Sequence, residues 1–288
     1  MKLTELFKEN KPRLSFEVFP PKTDARMENV MSAVEEIAAL SPSFMSVTYG
    51  AGGDGASRYT VDIARRIEDG HRVPALAHLT CVASDRATVA ARLKDLKAAG
   101  IENIMALRGD LPHDYLPGEY RHANELMADI RAAGDFCIGG ACYPEVHPES
   151  PNQISDIATL KEKVDAGCDF LTTQMFFSNP MFYNFMYKLR EAGITVPVVA
   201  GIMPVINAAQ VKRTLELSGA FMPQSFLAMA DRFRDKPEAM YAAGIAYATE
   251  QIVDLYANGV NNIHVYCMNK PDVARAIQDN LRGIIGED

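Results

Sequence analysis

The sequence has few of the features that mark several large classes of protein. Its five cysteines are scattered and form no Cys-x-x-Cys pair, so neither a disulfide framework nor a structural zinc site is expected. No apolar run approaches the roughly 18 residues of a membrane span. The amino-terminal segment also lacks the apolar stretch of a secretory signal. We therefore expect a cytoplasmic protein with reduced thiols and no membrane association.

The sequence also lacks any concentration of basic residues. Its net charge is −8, and acidic and basic residues are mixed along its 288 residues. A phosphate-backbone binder needs a clustered Lys/Arg patch, so nucleic acid is not an expected partner. With 48% hydrophobic and 23% charged residues, the composition is that of an ordinary globular protein.

Several catalytic signatures are missing as well. No His-x-His follows the first apolar run, and the six histidines do not have metal-ligand spacing. These absences disfavour a metal-dependent hydrolase, and no metal ligand is predicted. There is no Gly-x-Ser-x-Gly elbow, and no apolar run contains a lysine. A serine hydrolase and a Schiff-base aldolase are therefore poorly supported.

What the sequence does contain is a series of eight short apolar runs. Their residues are continuously apolar rather than alternating, which is typical of parallel strands covered on both faces. We predict strands at 14–18, 44–48, 75–79, 103–107, 136–141, 170–173, 196–201 and 263–266.

Amphipathic stretches separate these runs, and most of them end at a glycine. Glycine just beyond a helix can adopt the left-handed conformation that ends the helix, and we expect this at Gly100, Gly134, Gly167, Gly193 and Gly259. Alternating strands and helices predict an α/β fold of βαβ units. We expect residues 1–288 to form one (β/α)8 TIM barrel domain, with an additional helix at 223–234. The alternative is a doubly wound sheet, but the glycine-rich segment 50–55 lacks Gly-x-Gly-x-x-Gly spacing.

Polar residues stand at the carboxyl ends of the predicted strands, where barrel enzymes carry their active sites. Glu17 lies between Phe16 and Val18 in a segment that should be buried. Burial disfavours the charged carboxylate, so its pKa should rise, as suits a general acid. The alternative is a structural carboxylate that accepts backbone hydrogen bonds.

The other strand-end residues allow more than one interpretation. Arg108 and Asp110 flank Gly109 and could contact an anionic cofactor, or could pair with each other. Gln174 has an amide suited to the edge of a heterocycle, whereas His78, Tyr143 and His147 could equally be structural. A site with carboxylates, an amide and aromatic rings, but no nucleophile or metal ligand, is typical of chemistry performed by an organic cofactor.

Seven segments in order resemble the methylenetetrahydrofolate reductase family. They cover nearly the whole chain: FEVFPP (16–21), SVTYGA (46–51), HLTC (78–81), ALRGD (106–110), YPEVHPE (143–149), TTQMFF (172–177) and GIMP (201–204). The resemblance implies a barrel that binds FAD non-covalently, takes electrons from NADH, and reduces 5,10-methylenetetrahydrofolate to 5-methyltetrahydrofolate.

The resemblance also implies roles for individual residues. Glu17 matches the general acid, Asp110 a carboxylate that stabilises an iminium cation, and Gln174 and Lys270 the folate-binding positions. The implied cofactor-binding positions are Thr48, His78, Arg108, Gly109, Asp110, Ala123, Tyr143, His147, Asp156 and Lys163. The sequence departs from the family pattern at His122, Thr159 and Glu162, which lie along the expected adenosine and diphosphate end of FAD, so this outer part of the cofactor site is the least well matched. It also departs at Ala228 and Lys270, where a glutamine and an arginine would be expected to hold the folate.

Two other functions remain open at this point. The first is the same folate chemistry with electrons supplied by a partner redox protein, and the second is a non-redox, pterin-binding methyltransferase. The choice between NADH and NADPH, the physiological direction and the possibility of a homo-oligomer are also open. From its length we expect the chain to lack the carboxyl-terminal regulatory domain of eukaryotic relatives.

Overall fold

The computed structural model describes residues 1–21, 23–49, 54–82, 84–111, 118–211 and 220–286, without the side chains of residues 24 and 54–58. Most of the glycine-rich segment 50–55 therefore lies outside the described residues. Eight parallel strands close a barrel in chain order, which confirms the predicted (β/α)8 fold. The strands are β1 (Arg13–Val18), β2 (Met45–Val47), β3 (Ala75–Thr80), β4 (Asn103–Leu107), β5 (Cys137–Cys142), β6 (Phe170–Thr173), β7 (Val198–Ile202) and β8 (Asn262–Val265).

Helices cover the outside of this barrel. They are α1 (Leu3–Leu6), α2 (Met27–Ala38), α3 (Asp54–His71), α4 (Arg86–Ala98), α5 (Ala123–Ala133), α6 (Gln153–Asp165), α7 (Asn179–Glu191), α8 (Gln224–Arg232), α9 (Pro237–Ala257) and α10 (Pro271–Ile285), with a short 3-10 helix at Asp24–Arg26. Helix α8 confirms the additional helix predicted at 223–234. Among the helices that the structure describes, none has both the length and the apolar character needed to cross a lipid bilayer.

The predicted strands agree with the observed ones to within two residues at each end. The largest difference is at β7, which was predicted from residue 196 and begins at Val198. Pro197 has no N–H group to donate to the sheet, so the ladder begins after it. The carbonyl of Pro197 still accepts a hydrogen bond from the Leu171 N–H at 2.9 Å.

The glycines that follow helices are left-handed in all but one case. Gly100, Gly167, Gly193 and Gly259 have φ values of 80°, 106°, 72° and 79°. The prediction for Gly134 is wrong, because its φ of 161° and ψ of −173° are those of extended backbone. Helix α5 ends at Ala133, and the chain runs in an extended conformation from there towards β5.

The first helix closes the amino-terminal end of the barrel. Leu3 is fully buried among residues at the start of several strands, including Leu76 and Phe170. The Leu3 N–H donates to Asn103 Oδ1 at 2.8 Å, and the Phe7 ring meets Phe170 at 5.2 Å between centroids. This plug leaves the carboxyl ends of the strands as the open end of the barrel.

Candidate active site

Glu17 lies near the carboxyl end of β1, between two fully buried side chains. Because side chains alternate along a strand, Phe16 and Val18 share one face and Ser15 and Glu17 share the other. The Glu17 side chain is only 19% exposed. Burial raises its pKa to about 7, although a hydrogen bond from Ser46 partly opposes this. The direction agrees with the sequence prediction, so Glu17 can hold a proton near neutral pH.

His78 on β3 lies beside the Glu17 carboxyl group. Its Nε2 lies 3.7 Å from Glu17 Oε2. Burial lowers the pKa of His78 to about 4, so the imidazole is neutral at pH 7. The contact is therefore not an ion pair, and His78 does not supply a positive charge that would favour the Glu17 carboxylate.

The backbone after Glu17 is held by a residue that sequence reasoning did not assign. Asn269 Oδ1 accepts a hydrogen bond from the Phe19 N–H at 2.9 Å, and Asn269 Nδ2 donates to the Phe19 carbonyl at 2.8 Å. Met268 and Asn269 have positive φ values of 58° and 53°, which turn this loop back towards β1. The only sequence signal was the position of Asn269 at the end of β8.

A cavity of about 410 Å³ opens beside the ends of β4 and β5. It brings together most of the predicted cofactor-binding positions, namely Arg108, Gly109, Asp110, Ala123, Tyr143, His147, Asp156 and Lys163. The remaining two, Thr48 and His78, belong to the β2 and β3 side of the barrel and are not among the lining residues. Glu17, Gln174 and Lys270 are also outside the lining.

Arg108 forms a paired contact that the sequence did not predict. Its two terminal nitrogens donate to the two carboxylate oxygens of Glu149 at 2.7 and 2.6 Å. This fork geometry orients the guanidinium group strongly. Glu149 lies in the YPEVHPE segment but was not singled out, because its partner is 41 residues away in the chain.

Gly109 has a conformation and surroundings that exclude a side chain. Its φ is +93°, and a Cβ atom would lie 3.0 Å from Val82 Cγ1 and 3.2 Å from Thr80 Cβ. Backbone N–H groups of Cys81 and Val82 donate to the Arg108 carbonyl at 3.2 and 2.8 Å. Glycine therefore allows the chain to turn sharply at the end of β4 and to direct Asp110 into the cavity lining.

Asp156 organises the loop after β5. The residue is 5% exposed, and its carboxylate accepts hydrogen bonds from the His147 N–H at 3.2 Å and the Ser150 hydroxyl at 3.1 Å. The Tyr143 and His147 rings meet edge to face at 4.5 Å. Asp156 thus holds in place the loop that presents this aromatic pair to the cavity.

His147 is neutral with a defined ring proton. Its Nδ1 accepts a hydrogen bond from the Glu149 N–H at 3.1 Å, so Nε2 bears the proton. Burial lowers the pKa of His147. The ring therefore offers the cavity one N–H donor without positive charge.

Lys163 extends from α6 to the end of β5. Its Nζ donates to the Ala141 carbonyl at 3.0 Å. Burial lowers its pKa, because desolvation disfavours the charged form of the amine. A lysine has three donors, so the group can also bind a ligand in the cavity.

The charge of the cavity is predominantly acidic. Among the described lining residues there are four carboxylates, Asp110, Glu149, Asp156 and Glu162, against the two cations Arg108 and Lys163. The amino end of α5 also lines the cavity through His122, Ala123 and Asn124, and a helix amino terminus attracts anions. The amino end of α5, Arg108 and Lys163 therefore attract an anionic ligand. Glu162 repels it at the outer end of the cavity, where Thr159 also lies.

The two predicted folate-binding residues, Gln174 and Lys270, lie on the same open rim as Asp110 because the strands are parallel. Asp110 is exposed after β4 and Gln174 is half-buried after β6. Gln174 Oε1 accepts a hydrogen bond from the Met175 N–H at 2.9 Å. The side-chain amide N–H groups of Gln174 are therefore the ones that can donate to a ligand. Lys270 is exposed at the amino end of α10. The predicted folate-binding residues Gln174 and Lys270 thus lie on the rim outside the cavity lining, whereas Asp110 lies on the rim and also lines the cavity.

Comparison with known proteins identifies the family of the chain. The family model for methylenetetrahydrofolate reductase matches residues 2–282. The chain is 36% identical to methylenetetrahydrofolate reductase (NADH) 1 of Zea mays, over 99% of this chain and 51% of that one. It is 35% identical to 5,10-methylenetetrahydrofolate reductase of Pectobacterium carotovorum, over 93% and 89%, and 34% identical to that of Escherichia coli, over 93% and 90%.

The chain thus spans about half the length of the plant relative and most of the length of the bacterial ones. A solved structure from Clostridium thermocellum, of a protein that binds two copies of 5-methyl-5,6,7,8-tetrahydrofolic acid, has a TM-score of 0.69 and covers 99% of this chain and 98% of its own. At 12% identity that likeness shows the fold alone. The match across residues 2–282 and the bacterial relatives show that this chain belongs to the methylenetetrahydrofolate reductase family.

Proposed function

We propose that this chain reduces 5,10-methylenetetrahydrofolate to 5-methyltetrahydrofolate with NADH as the electron donor. The single observation that carries the proposal is the buried Glu17 carboxyl group at the open end of the barrel, whose pKa is raised to about 7. Membership of the family supports the reaction, and the name of the Zea mays relative supports NADH.

The chemistry of the substrate requires an acid at this position. The methylene carbon bridges two nitrogens, and one C–N bond must break to leave an electrophilic iminium ion before hydride can add. Breaking that bond needs a proton on the departing nitrogen, which is a general-acid task. Glu17 can supply it because burial keeps its carboxyl group protonated near neutral pH. Asp110, as a carboxylate on the same rim, would stabilise the iminium cation.

We propose that the cavity beside β4 and β5 binds FAD. When bound, the flavin would accept hydride from NADH and pass it to the folate carbon. The donor set supports this assignment: Lys163, Arg108 and the His147 N–H can meet polar atoms of the ring system, and the amino end of α5 can meet the diphosphate. The acidic outer end predicts that the adenosine part is held only weakly.

The folate would bind across the rim. We propose that Gln174 meets the edge of the pterin with its amide and that Lys270 meets the glutamate tail with its charge. Lysine provides a point charge rather than the bidentate fork of arginine, so its contribution should depend on salt.

We propose residues 1–288 as a single catalytic domain, and the five buried free thiols support a cytoplasmic location.

The test of the function is to separate the two half-reactions in Glu17→Gln. With added FAD, NADH should still bleach the flavin, whereas the reduced protein should fail to transfer electrons to methylenetetrahydrofolate. Glu68→Gln is the matched control, since burial also raises the pKa of this glutamate but its Oε1 accepts from the Ala75 N–H at the opposite end of the barrel. Normal folate reduction by Glu17→Gln would remove Glu17 from the mechanism.

The same test separates a second candidate, in which a partner redox protein rather than NADH supplies the electrons. If NADH does not bleach the reconstituted flavin but a chemical reductant supports folate turnover, the donor assignment changes and the folate chemistry stands. Absence of both reactions would instead favour a methyltransferase that uses a related pterin without redox chemistry.

A further inference from the structure

Helix α9 contacts two parts of the fold with two of its faces. Ile252 and Leu255 are fully buried in the main hydrophobic core between the barrel and its helices. A second set of residues, Gly244, Tyr247 and Gln251, has the spacing i, i+3, i+7 and therefore lies along one face of the helix. We call these three residues the α9 stripe. Its contacts are with the loops that follow β6 and β7.

Two residues of the α9 stripe hold the backbone of the loop after β6. The Tyr247 hydroxyl donates to the Phe177 carbonyl at 2.7 Å, and Gln251 Nε2 donates to the Phe176 carbonyl at 2.9 Å. Gln251 is 7% exposed, so a carbonyl that lost its donor there would be costly to leave unpaired. The two bonds therefore fix consecutive peptide groups just beyond Gln174.

The loop after β6 is also fixed at its two ends. The Gln174 N–H donates to the Cys142 carbonyl on β5 at 2.7 Å. At the start of α7, Asn179 Nδ2 donates to the Gln251 carbonyl at 3.0 Å and to the Asp254 carboxylate at 2.7 Å. The two donors of the α9 stripe act on the part of the loop between these ends.

The Tyr247 ring belongs to a small apolar cluster on the rim that is separate from the barrel core. It meets Phe226 of α8 edge to face at 5.0 Å, and Phe226 meets Phe177 at 4.8 Å. Phe177, after β6, and Val205, after β7, are both buried in this cluster. Packing thus holds the Tyr247 ring, so its hydroxyl is directed at the loop without the freedom of an exposed side chain.

Gly244 brings α9 into direct contact with the loop after β7. A Cβ atom at this position would lie 2.1 Å from the Val205 carbonyl oxygen and 3.2 Å from Ile206 Cα. Both atoms are backbone, which cannot move away unless the loop itself is displaced. Glycine is a poor helix former, so its place inside α9 is explained by this close approach. The α9 stripe therefore sets the spacing between the loops after β6 and β7.

We propose that the α9 stripe positions the Gln174 amide for the pterin ring, by fixing the loop that carries it and the spacing of that loop from the one after β7. The inference rests on the proposed function, in which Gln174 meets the pterin edge. Because Gln174 Oε1 accepts from the Met175 N–H, the loop backbone also sets the direction of the amide N–H groups. The stripe residues are positioning residues that act on the folate through Gln174.

Tyr247→Phe tests this role, because it removes the hydroxyl and retains the ring against Phe226. The variant is reconstituted with FAD, reduced with dithionite so that NADH is not needed, and mixed with methylenetetrahydrofolate. The folate concentration that gives half of the maximal rate of flavin reoxidation should rise by about three- to tenfold, as expected for the loss of one neutral hydrogen bond. An unchanged concentration would overturn the proposal.

Tyr256→Phe is the matched control on the same helix. The Tyr256 hydroxyl donates to the Arg13 carbonyl at 2.9 Å, at the start of β1 and therefore at the opposite end of the barrel. This variant loses the same kind of hydrogen bond and should keep the wild-type half-saturating folate concentration. An equal rise in both variants would mean that any loosening of α9 has this effect, and it would reject a specific role of the stripe.

A role that acts through Gln174 also predicts that two substitutions are not additive. In a Gln174→Ala background, Tyr247→Phe should no longer raise the half-saturating concentration, because the amide that it positions is absent. The full rise in that background would contradict the proposal. Gly244→Ala should raise the concentration in the wild-type background, and a folded variant with the wild-type value would overturn the part of the proposal that concerns the loop after β7.

Hydrogen exchange separates failure of this proposal from failure of the proposed function. Without any ligand, the backbone amides of residues 175–178 should exchange about three- to tenfold faster in Tyr247→Phe than in the wild-type protein or in Tyr256→Phe, because the loop opens more often. Faster exchange in a protein that does not reduce folate would support the positioning of the loop and reject the proposed function. Unchanged exchange in this segment would reject the positioning itself.

Discussion

The raised pKa of Glu17 predicts a pH-dependent loss of stability that its glutamine variant should not share. Burial raises the pKa from 4.5 to about 7. A raised acid pKa means that the folded state binds the proton more tightly than the unfolded state. The contribution of Glu17 is therefore fully favourable below pH 4.5 and is lost as pH rises through 7. Above that pH, the folded protein must hold a buried carboxylate.

The magnitude follows from the size of the shift. One unit of pKa corresponds to about 1.4 kcal/mol, so a shift of about 2.5 units corresponds to about 3 kcal/mol. We expect the free energy of unfolding of Glu17→Gln, relative to the wild-type protein, to increase by about this amount between pH 4.5 and pH 8. Glutamine has nearly the same shape and does not ionise, so the difference isolates the charge.

Urea denaturation at several pH values measures this difference, provided that unfolding is two-state. Other titrating groups are common to both proteins and cancel, because His78 and His264, the nearest rings, have pKa values of about 4 and 3 and titrate below this range. Glu36→Gln, an exposed position on α2, is the control for replacing any glutamate. If the two stability curves stay parallel from pH 4.5 to pH 8, the buried environment of Glu17 has been misjudged.

Three further predictions concern the rim and the cavity. Asp110→Asn should slow reoxidation of the reduced flavin by methylenetetrahydrofolate by tenfold or more, because the folate must open to an iminium cation before hydride arrives. An unchanged rate of this half-reaction in stopped-flow experiments would count against the assignment. Glu162→Gln should tighten FAD binding by about two- to fivefold at low salt, because it removes one exposed repulsive charge. Fluorescence titration measures this affinity, and an unchanged value would mean that the diphosphate does not approach this residue. Gly109→Ala should lower the free energy of unfolding by about 1–3 kcal/mol, since a Cβ at a φ of +93° would press on Val82 and Thr80. If urea denaturation of the variant gives the wild-type midpoint, the turn accommodates the added Cβ without strain.

Much of the barrel could be predicted because its signals are local. Continuous apolar runs indicate strands buried on both faces, and helix-ending glycines indicate where each helix stops. These patterns located all eight strands, and the polar residues that follow them fall on one rim because the strands are parallel. Two local predictions were wrong: β7 was predicted to include Pro197, which has no N–H group to donate, and Gly134 was predicted to be left-handed although glycine also adopts extended backbone.

The partners of the site residues could not be predicted, because they depend on contacts distant in sequence. The carboxylate that pairs with Arg108 is Glu149, and the residue that holds the backbone at Phe19 is Asn269, 250 positions away. Asp156 was expected to contact a cofactor, and it also organises the loop from His147 to Ser150 through its hydrogen bonds. No pattern in the sequence links these pairs.

By itself, the sequence determined the strands, the order of the strand-end residues and the position of Glu17 within a buried segment, from which a raised pKa was predicted. Only the tertiary structure decided which groups surround that carboxyl group. Closure of the barrel pairs β1 with β8 in a register that sets Ser15 against His264, and pairs β1 with β2 in one that sets Glu17 against Ser46. The physical reason is that alternation along a strand selects a face, whereas the register between strands selects the partner.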